Sequence, residues 1–278
     1  MGTLYLVATP IGNLGDLSPR ALRILQEVRL IAAEDTRVTR KLLTHFGVHT
    51  PLTSYFEHNK LTKLDTILAA LVGGDVALVS DAGTPALNDP GYELVHAALE
   101  TGHRVCPVPG PSAPVAALVA SGLPTDAFLF LGYLPRKSPD RRALLKQVAG
   151  YPYTLIFLEA PHRLIEALAD LQSTLGDREI SVARELTKVH EEIWRGNLQG
   201  AQQYFSGSKP RGEFTLVVGG NPLERMARWS EEHMISALLA GAGDSQSTTR
   251  LASRLAAESG WARREIYKLA ILIKGKTE

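Results

Sequence analysis

The alternation of strand-like and helix-like segments between residues 3 and 122 limits the possible folds more than any other feature. The apolar runs "LYLVA", "RLIAA", "DVALVS" and "RVCPV" are each bordered by helical patterns, and Gly or Pro residues separate the two kinds of segment. A further short strand is possible at "PLTSY". Because parallel strands need crossover helices, the pattern predicts a parallel sheet covered by helices on both faces.

The pattern changes after Pro124, where strand candidates outnumber helices. Five strands are predicted, at "AFLFLGYL", "YTLIFLEA", "EISVARE", "HEEIWRG" and "EFTLVVGG". Consecutive strands without a helix between them imply antiparallel pairs. We therefore expect an α/β fold with two domains: a parallel-sheet domain over residues 1–114 and a mixed-sheet domain over residues 115–222.

The chain beyond Pro222 is predicted to be a small helical domain, residues 223–278. Its end resembles a helix-turn-helix with Gly260 at the turn and Ala256 and Ile266 at apolar positions around it.

The C-terminal tail is basic. From residue 245 onward it has seven Lys or Arg residues, including Arg263 and Arg264, against three Glu. Such a surface can bind the phosphates of a nucleic acid. Alternatively, the helices only cap the fold.

Composition excludes several other classes of protein. No apolar run reaches the roughly 18 residues of a membrane span and no leader pattern opens the chain, so we expect a cytoplasmic protein. The single cysteine, Cys106, cannot form an internal disulfide. No Cys/His pairs have the spacing of metal ligands, so we expect no metal site.

Three loops rich in Gly, Pro, Ser and Thr follow three of the predicted parallel strands: "ATPIGN", "SDAGTP" and "VPGPSA". Ligands of open α/β sheets bind at this edge. The loop "SDAGTP" matches neither the dinucleotide nor the P-loop fingerprint, and "ATPIGN" lacks the glycines of the dinucleotide fingerprint. Backbone amides stiffened by proline suit adenosine or an amino-acid group. The alternative for "SDAGTP" is a tight turn in which Gly83 and Pro85 serve geometry alone.

Charged residues occupy a fourth loop, "AAEDTR", at the end of the second strand. Glu34 and Asp35 can face a substrate there, and Arg37 can hold a phosphate. Alternatively, Asp35 caps the helix that follows and Glu34 is solvated.

The second domain has a comparable turn at "LEAPHR". Glu159 ends a strand, Arg163 can contact phosphate, and His162 is either an acid or base or a helix cap. The same ambiguity applies to His58 in "SYFEHNK".

Taken together, "TPIGNLGD", "AAEDTR", "SDAGTP", "NDPGY", "PGPSA" and "EAPHR" resemble, in order and spacing, the 16S ribosomal RNA (cytidine-2'-O)-methyltransferase family of the tetrapyrrole methylase superfamily. The resemblance covers residues 3 to about 220. It implies a two-domain methylase core with a small helical C-terminal domain, S-adenosylmethionine in the cleft between the domains, and a homodimer. It also implies 2'-O-methylation of a cytidine in 16S ribosomal RNA or the small ribosomal subunit.

The resemblance also assigns the cofactor contacts by position. They are Pro10, Ser80, Asp81, Ala82, Gly83, Ser112 and Ala113. From the chemistry of their side chains, the candidates for orienting or deprotonating the 2'-hydroxyl are Glu34, Asp35 and Glu159, with His58 as a further possibility. The RNA contacts expected from charge and position are Arg37, His58, His162, Arg163, Arg263 and Arg264.

Two other functions remain open at this point. One is methylation of a small tetrapyrrole-like substrate, which gives no reason for a basic helical tail. The other is a cofactor-sensing RNA-binding protein without catalysis.

Overall fold

The computed structural model describes residues 2–207, 209–221, 229–241 and 248–274. Its first sheet contains the strands β1 Thr3–Val7, β2 Leu30–Ala33, β3 Leu52–Ser54, β4 Val76–Val79 and β5 Arg104–Val108. Their order is β3-β2-β4-β1-β5, and every neighbouring pair is parallel. The predicted parallel sheet is confirmed, including its short strand at "PLTSY".

Four helices cover this sheet. α1 and α2 pack on one face, where Leu25 and Leu43 are buried, and α3 and α4 pack on the other, where Leu71 and Leu94 are buried. The four helices are α1 Pro19–Glu27, α2 Thr36–His45, α3 Lys60–Gly73 and α4 Tyr92–Glu100. Ser18 caps α1 by accepting a hydrogen bond of 3.1 Å from the Ala21 amide.

The next helix, α5 Ala113–Ser121, connects the two domains. It begins in the loop after β5, yet its residues Ala117 and Leu118 pack against Ile156 and Val217 of the second sheet. The amino end of α5 is thereby held at the edge of the first sheet while its body belongs to the second core.

The second sheet is mixed, as predicted. Its strand order is β6-β7-β10-β8-β9; β6 and β7 are parallel and the other pairs are antiparallel. The strands are β6 Phe128–Tyr133, β7 Thr154–Glu159, β8 Glu179–Arg184, β9 Glu192–Asn197 and β10 Phe214–Val218. The helices α6 Ser138–Val148, α7 Leu164–Leu175 and α8 Leu198–Ser206 cover the face opposite α5.

Two glycines mark where the domains touch. Gly12, in the loop after β1, lies against Leu186 and Lys188, so that a side chain at this position would overlap Lys188. Gly132 in β6 leaves no room for a side chain beside Asn88 of the first domain. The second domain therefore lies directly over the loops of the first sheet.

Three helices follow near the end of the chain: α9 Glu231–Gly241, α10 Thr248–Ser259 and α11 Arg263–Lys274. They share a small core in which Met234, Leu255 and Ile266 are buried. Gly260 has φ +68° between α10 and α11, as expected for the glycine of a helix-turn-helix. The expected domain boundary at residues 222 and 223 lies outside the described residues. No described helix is long and apolar enough to cross a membrane.

Candidate active site

A cleft of about 230 Å³ lies between the carboxyl edge of the first sheet and the second sheet. Its first-domain lining is Ile11, Glu34, Asp81, Ala82, Gly83, Thr84, Leu87, Asn88, Asp89, Ser112, Ala113 and Pro114. Its second-domain lining is Phe130, Tyr133, Leu158, Glu213, Phe214 and Thr215. The cleft thus combines apolar walls with carboxylates.

Hydrogen bonds join the three Gly/Pro-rich loops to one another. The Thr9 amide donates to the Gly83 carbonyl at 2.8 Å, and the Gly83 amide donates back to Thr9 at 3.0 Å. The Thr84 hydroxyl donates to the Pro111 carbonyl at 3.1 Å. The loops after β1, β4 and β5 therefore meet at one edge, as the sequence predicted.

The acidic loop after β2 joins the same set. The Asp81 amide donates to Glu34 Oε2 at 3.3 Å, and the Asp35 amide donates to Asp81 Oδ1 at 2.9 Å. Burial is the main cause that raises the pKa of both Glu34 and Asp81, and nearby negative charges add to it. Glu34 therefore faces the cleft as a carboxylate with a raised affinity for a proton.

Asp35 has a different environment from its neighbour. It is the N-cap of α2: its side chain accepts the Arg37 amide at 2.8 Å and the Arg37 guanidinium at 2.6–3.1 Å. These hydrogen bonds lower the pKa of Asp35 to about 2. The capping alternative is therefore what the structure shows for Asp35, and Arg37 folds back onto it.

Asp89 lines the cleft and was not predicted as a site residue from the sequence. Burial raises its pKa to about 6, and the negative charges of Glu34 and Asp81 add to the shift. The available signal was an acidic residue immediately before the Pro-Gly pair that opens α4, inside the motif "NDPGY". Tyr133 was not predicted either, because it reaches the cleft from a different sheet and no local pattern marks it.

The expected cofactor residues divide into two groups. Asp81, Ala82, Gly83, Ser112 and Ala113 line the cleft. Pro10 and the buried Ser80 are not part of the lining but adjoin lining residues in the chain. Ser112 is the N-cap residue of α5 but makes no side-chain capping hydrogen bond.

Glu159 does not reach the cleft lining. Adjacent strand residues point to opposite faces, and Leu158 is the one that lines the cleft. The Glu159 carboxylate is buried and accepts hydrogen bonds of 2.7 Å from the Ala160 amide and from Arg163 Nε. Arg163 also donates to the Leu134 carbonyl at 2.7 Å. Burial is the main cause that raises the pKa of Glu159. The "LEAPHR" turn thus holds a buried ion pair.

The two histidines also lie outside the cleft lining. His162 is exposed in the 3-10 turn Pro161–Arg163, and His58 is exposed after β3. In the C-terminal helices, Arg263 and Arg264 are exposed at the start of α11. They border an open hollow of about 410 Å³ together with Thr249 and Tyr267. The structure therefore does not gather the expected RNA contacts into one place.

Comparison with known proteins identifies the chain's relatives. A family model described as tetrapyrrole (corrin/porphyrin) methylases matches residues 3–202. A protein of Synechocystis sp. named ribosomal RNA small subunit methyltransferase I is 50% identical over 98% of each chain. A protein of that name from Escherichia coli O157:H7 is 44% identical over 99% of this chain and 96% of its own. The chain belongs to the ribosomal RNA small subunit methyltransferase I family of tetrapyrrole methylases.

Solved structures support the tetrapyrrole methylase fold. Uroporphyrin-III-C-methyltransferase from Thermus thermophilus matches with a TM-score of 0.53 and 21% identity, covering 79% of this chain and 94% of that chain. A cobalt precorrin-4 methyltransferase matches with a TM-score of 0.57 and 17% identity, covering 78% and 94%. At these identities the likeness shows the fold alone.

Methyltransferases with this fold use S-adenosylmethionine as the methyl donor, and the cleft suits that molecule. Its carboxylates, among them Asp81 and Asp89, complement a sulfonium and an ammonium group. Its apolar walls, which include Ile11 and Phe130, suit an adenine ring. Among the residues that the structure describes, no group of three or more His, Cys, Asp or Glu residues is arranged to hold a metal ion; the absence of a metal site stays a prediction.

Proposed function

We propose that this protein transfers a methyl group from S-adenosylmethionine to the 2'-hydroxyl of a cytidine in the 16S RNA of the small ribosomal subunit. The observation that carries the proposal is the match over 98% of both chains to a curated ribosomal RNA small subunit methyltransferase I. A match confined to the methylase core would leave the small tetrapyrrole-like substrate equally well supported. The extension of the match over the basic C-terminal region favours RNA.

The cofactor is held by the interlocked loops. S-adenosylmethionine supplies a methyl group on a sulfonium centre, whose leaving group needs no further activation. The first-turn amides of α5 and the Ser112 hydroxyl are suited to an anionic carboxylate at a helix amino terminus. Asp81 and Asp89 are suited to positive groups.

Glu34 is assigned the role of orienting or deprotonating the 2'-hydroxyl. It lines the cleft, and burial raises its pKa, so it accepts a proton more readily than Asp35, whose pKa is about 2. Asp35 and Arg37 instead fix the turn that carries Glu34. Placement of the hydroxyl beside the methyl group is a further contribution to the rate, because it makes the reaction effectively unimolecular.

The RNA is held outside the cleft. Arg37, at the rim, and Arg263 and Arg264, on α11, are exposed cations suited to phosphates. Arg163 is a weaker candidate, because its guanidinium is paired with the buried Glu159 carboxylate. His58 and His162 are exposed and stay part of the proposal. The proposal also includes a homodimer and a cytoplasmic location, where small ribosomal subunits are assembled.

Methyl incorporation tests the function directly. Purified protein and S-adenosylmethionine carrying a labelled methyl group are incubated with small subunits, or 16S RNA, from a strain that lacks the corresponding gene. We expect one labelled cytidine, resistant to alkaline cleavage at its 3' phosphate, and no label in RNA from the parent strain.

Two outcomes would contradict the proposal in different ways. Label in a tetrapyrrole but not in RNA would support the small-molecule alternative. RNA binding that responds to S-adenosylmethionine without any methyl transfer would support the cofactor-sensing alternative.

A further inference from the structure

One face of α2 presents a row of exposed polar and basic side chains. Positions 37, 40, 41, 44 and 45 fall on one side of a helix because residues three and four apart are neighbours there. The opposite side of α2 is buried through Thr39 and Leu43. Together with Thr36, the residues of this face line an open hollow of about 650 Å³: Arg37, Arg40, Lys41, Thr44 and His45. We refer to these five residues as the α2 basic face.

The charge of this face is not balanced locally. α2 contains no acidic residue. Arg37 pairs with Asp35 at 2.6 Å, whereas Arg40 and Lys41 form no ion pair with any residue in the described parts of the chain. Exposed cations on a rigid helix create a local positive potential that attracts phosphate anions.

The α2 basic face starts close to the cleft, and this position limits which ligands the face can bind. α2 begins two residues after Glu34, which lines the cleft. From Arg37 to His45 the helix extends by about 12 Å, at roughly 1.5 Å per residue. A polyanion on this face would therefore end at the rim of the cleft.

The cleft itself is unsuitable for phosphates. Glu34, Asp81 and Asp89 all line it, and their negative charges repel an RNA backbone. A nucleotide whose ribose enters the cleft must therefore keep its neighbouring phosphates outside. The exposed cations that follow the acidic turn along the chain are those of the α2 basic face.

We propose that the α2 basic face binds the phosphate backbone of the RNA strand next to the methylated nucleotide. This inference rests on the proposed function for the identity of the polyanion, and it adds a second RNA contact that is separate from the C-terminal helices. Because the contact is with phosphates, it contributes affinity and placement without reading the base sequence.

The test is the double variant Arg40→Gln/Lys41→Gln. The probe is a 16S RNA fragment containing the methylated position, and the affinity of the protein for it is measured at several salt concentrations. We expect the dissociation constant to rise roughly 2- to 30-fold, as for the removal of two exposed ion pairs. The slope of log affinity against log salt should fall by about 0.7 for each single-strand phosphate that the variant no longer neutralises. The affinity for S-adenosylmethionine should stay at the wild-type value.

Two control variants separate this effect from general loss of charge or fold. Arg20→Gln/Arg23→Gln removes the same charge from the exposed side of α1, which packs on the same face of the sheet, and should keep wild-type affinity and slope. Arg40→Lys/Lys41→Arg preserves both charges and should bind RNA as the wild type does.

The measurements distinguish failure of the α2 inference from failure of the proposed function. If Arg40→Gln/Lys41→Gln binds RNA with the affinity and salt slope of the α1 control, the α2 inference is wrong whatever the activity. If the wild type binds the fragment through α2 but transfers no methyl group to it, the surface stands and the proposed reaction fails. Equal losses in the α1 and α2 variants would show non-specific attraction and would also overturn the inference.

Discussion

Glu34 and Asp35 are adjacent carboxylates with opposite proton affinities. Glu34 is partly buried at the cleft, which raises its pKa, whereas Arg37 lowers the pKa of Asp35 to about 2. We expect Glu34→Gln to slow methyl transfer by roughly 10²-fold or more, with normal stability and cofactor affinity, because the hydroxyl loses its proton acceptor. Asp35→Asn should be mild, because Asn caps a helix almost as well. Single-turnover rates measure both effects.

Glu27→Gln, at the exposed end of α1, is the matched control and should keep the wild-type rate. Full activity in both Glu34→Gln and Asp35→Asn would rule out the acidic turn as the source of the proton acceptor. A strong effect in Asp35→Asn alone would show that the position of the turn matters more than its basicity.

Asp89 should make stability depend on pH. Its pKa is raised from 3.8 to about 6, so the native state favours the protonated form. The associated stabilisation is fully present below about pH 4 and is lost as the pH rises through about 6. We expect Asp89→Asn, which cannot ionise, to be more stable than the wild type at pH 8 by about 1 kcal/mol. This value is well below the roughly 3 kcal/mol implied for a fully buried group, because solvent screens Asp89.

Urea denaturation at pH 4.5 and at pH 8 measures this difference. The advantage of Asp89→Asn should be smaller at the lower pH. A constant difference between the two proteins at both pH values would contradict the assignment of a raised pKa to Asp89.

Sequence patterns predicted the cleft residues that lie in loops directly after the strands of the first sheet, but not those whose position depends on how the two sheets pack together. Glu34 and Gly83 were predicted because each follows a recognisable strand of the parallel sheet. Tyr133 was not, because its position at the cleft depends on how the second sheet packs on the first. Glu159 is the last residue of its strand, whereas Glu34 follows one. Strand alternation turns Glu159 away from the cleft, and no local pattern reveals which face of that strand meets the first domain.

At the scale of elements, the apolar pattern predicted nine of the ten strands and gave the short strand at "PLTSY" as a possibility. The start of α2 at Thr36 agrees with the capping alternative for Asp35. The order of strands within the sheets was not predictable from periodicity, which describes the burial of a strand but not its neighbours.

The conformation of the loop after β4 requires a glycine at position 83. Gly83 has φ +81°, its amide and carbonyl are both bonded to Thr9, and an added Cβ would lie 3.3 Å from Ile11 Cγ2. Gly83→Val should therefore distort the loop, lower stability by about 1–3 kcal/mol and abolish measurable binding of S-adenosylmethionine. Titration calorimetry and thermal unfolding measure the two effects.

Gly176→Val is the matched control for backbone strain. Gly176 also has φ +81°, but it ends α7 and an added Cβ there would have no atom within 4 Å. This variant should lose stability and keep cofactor affinity. Unchanged affinity in Gly83→Val would remove the loop from the cofactor site.

At the scale of the whole molecule, the C-terminal helices should act on RNA alone. They form a core of their own, and among the described residues none of theirs lines the cleft. Arg263→Gln/Arg264→Gln should weaken RNA binding and flatten its salt dependence, while the affinity for S-adenosylmethionine stays unchanged. Filter binding over a salt series and titration calorimetry measure these quantities.

The conservative variant Arg263→Lys/Arg264→Lys keeps both charges and should retain most of the RNA affinity. If removal of both charges leaves the affinity and the salt slope at wild-type values, the three helices serve as a structural cap.

The hydrogen bonds that connect the loops after β1, β2, β4 and β5 also have a thermodynamic consequence. Without any ligand, each loop is hydrogen-bonded to a neighbouring loop. The pairs are Thr9 with Gly83, Thr84 with Pro111, and Asp81 with Glu34. The conformational entropy of ordering these segments is therefore lost during folding rather than during binding. Affinity for the methyl donor is then reduced little by the cost of ordering these loops, and it depends mainly on the direct contacts and on the flexibility of the donor itself.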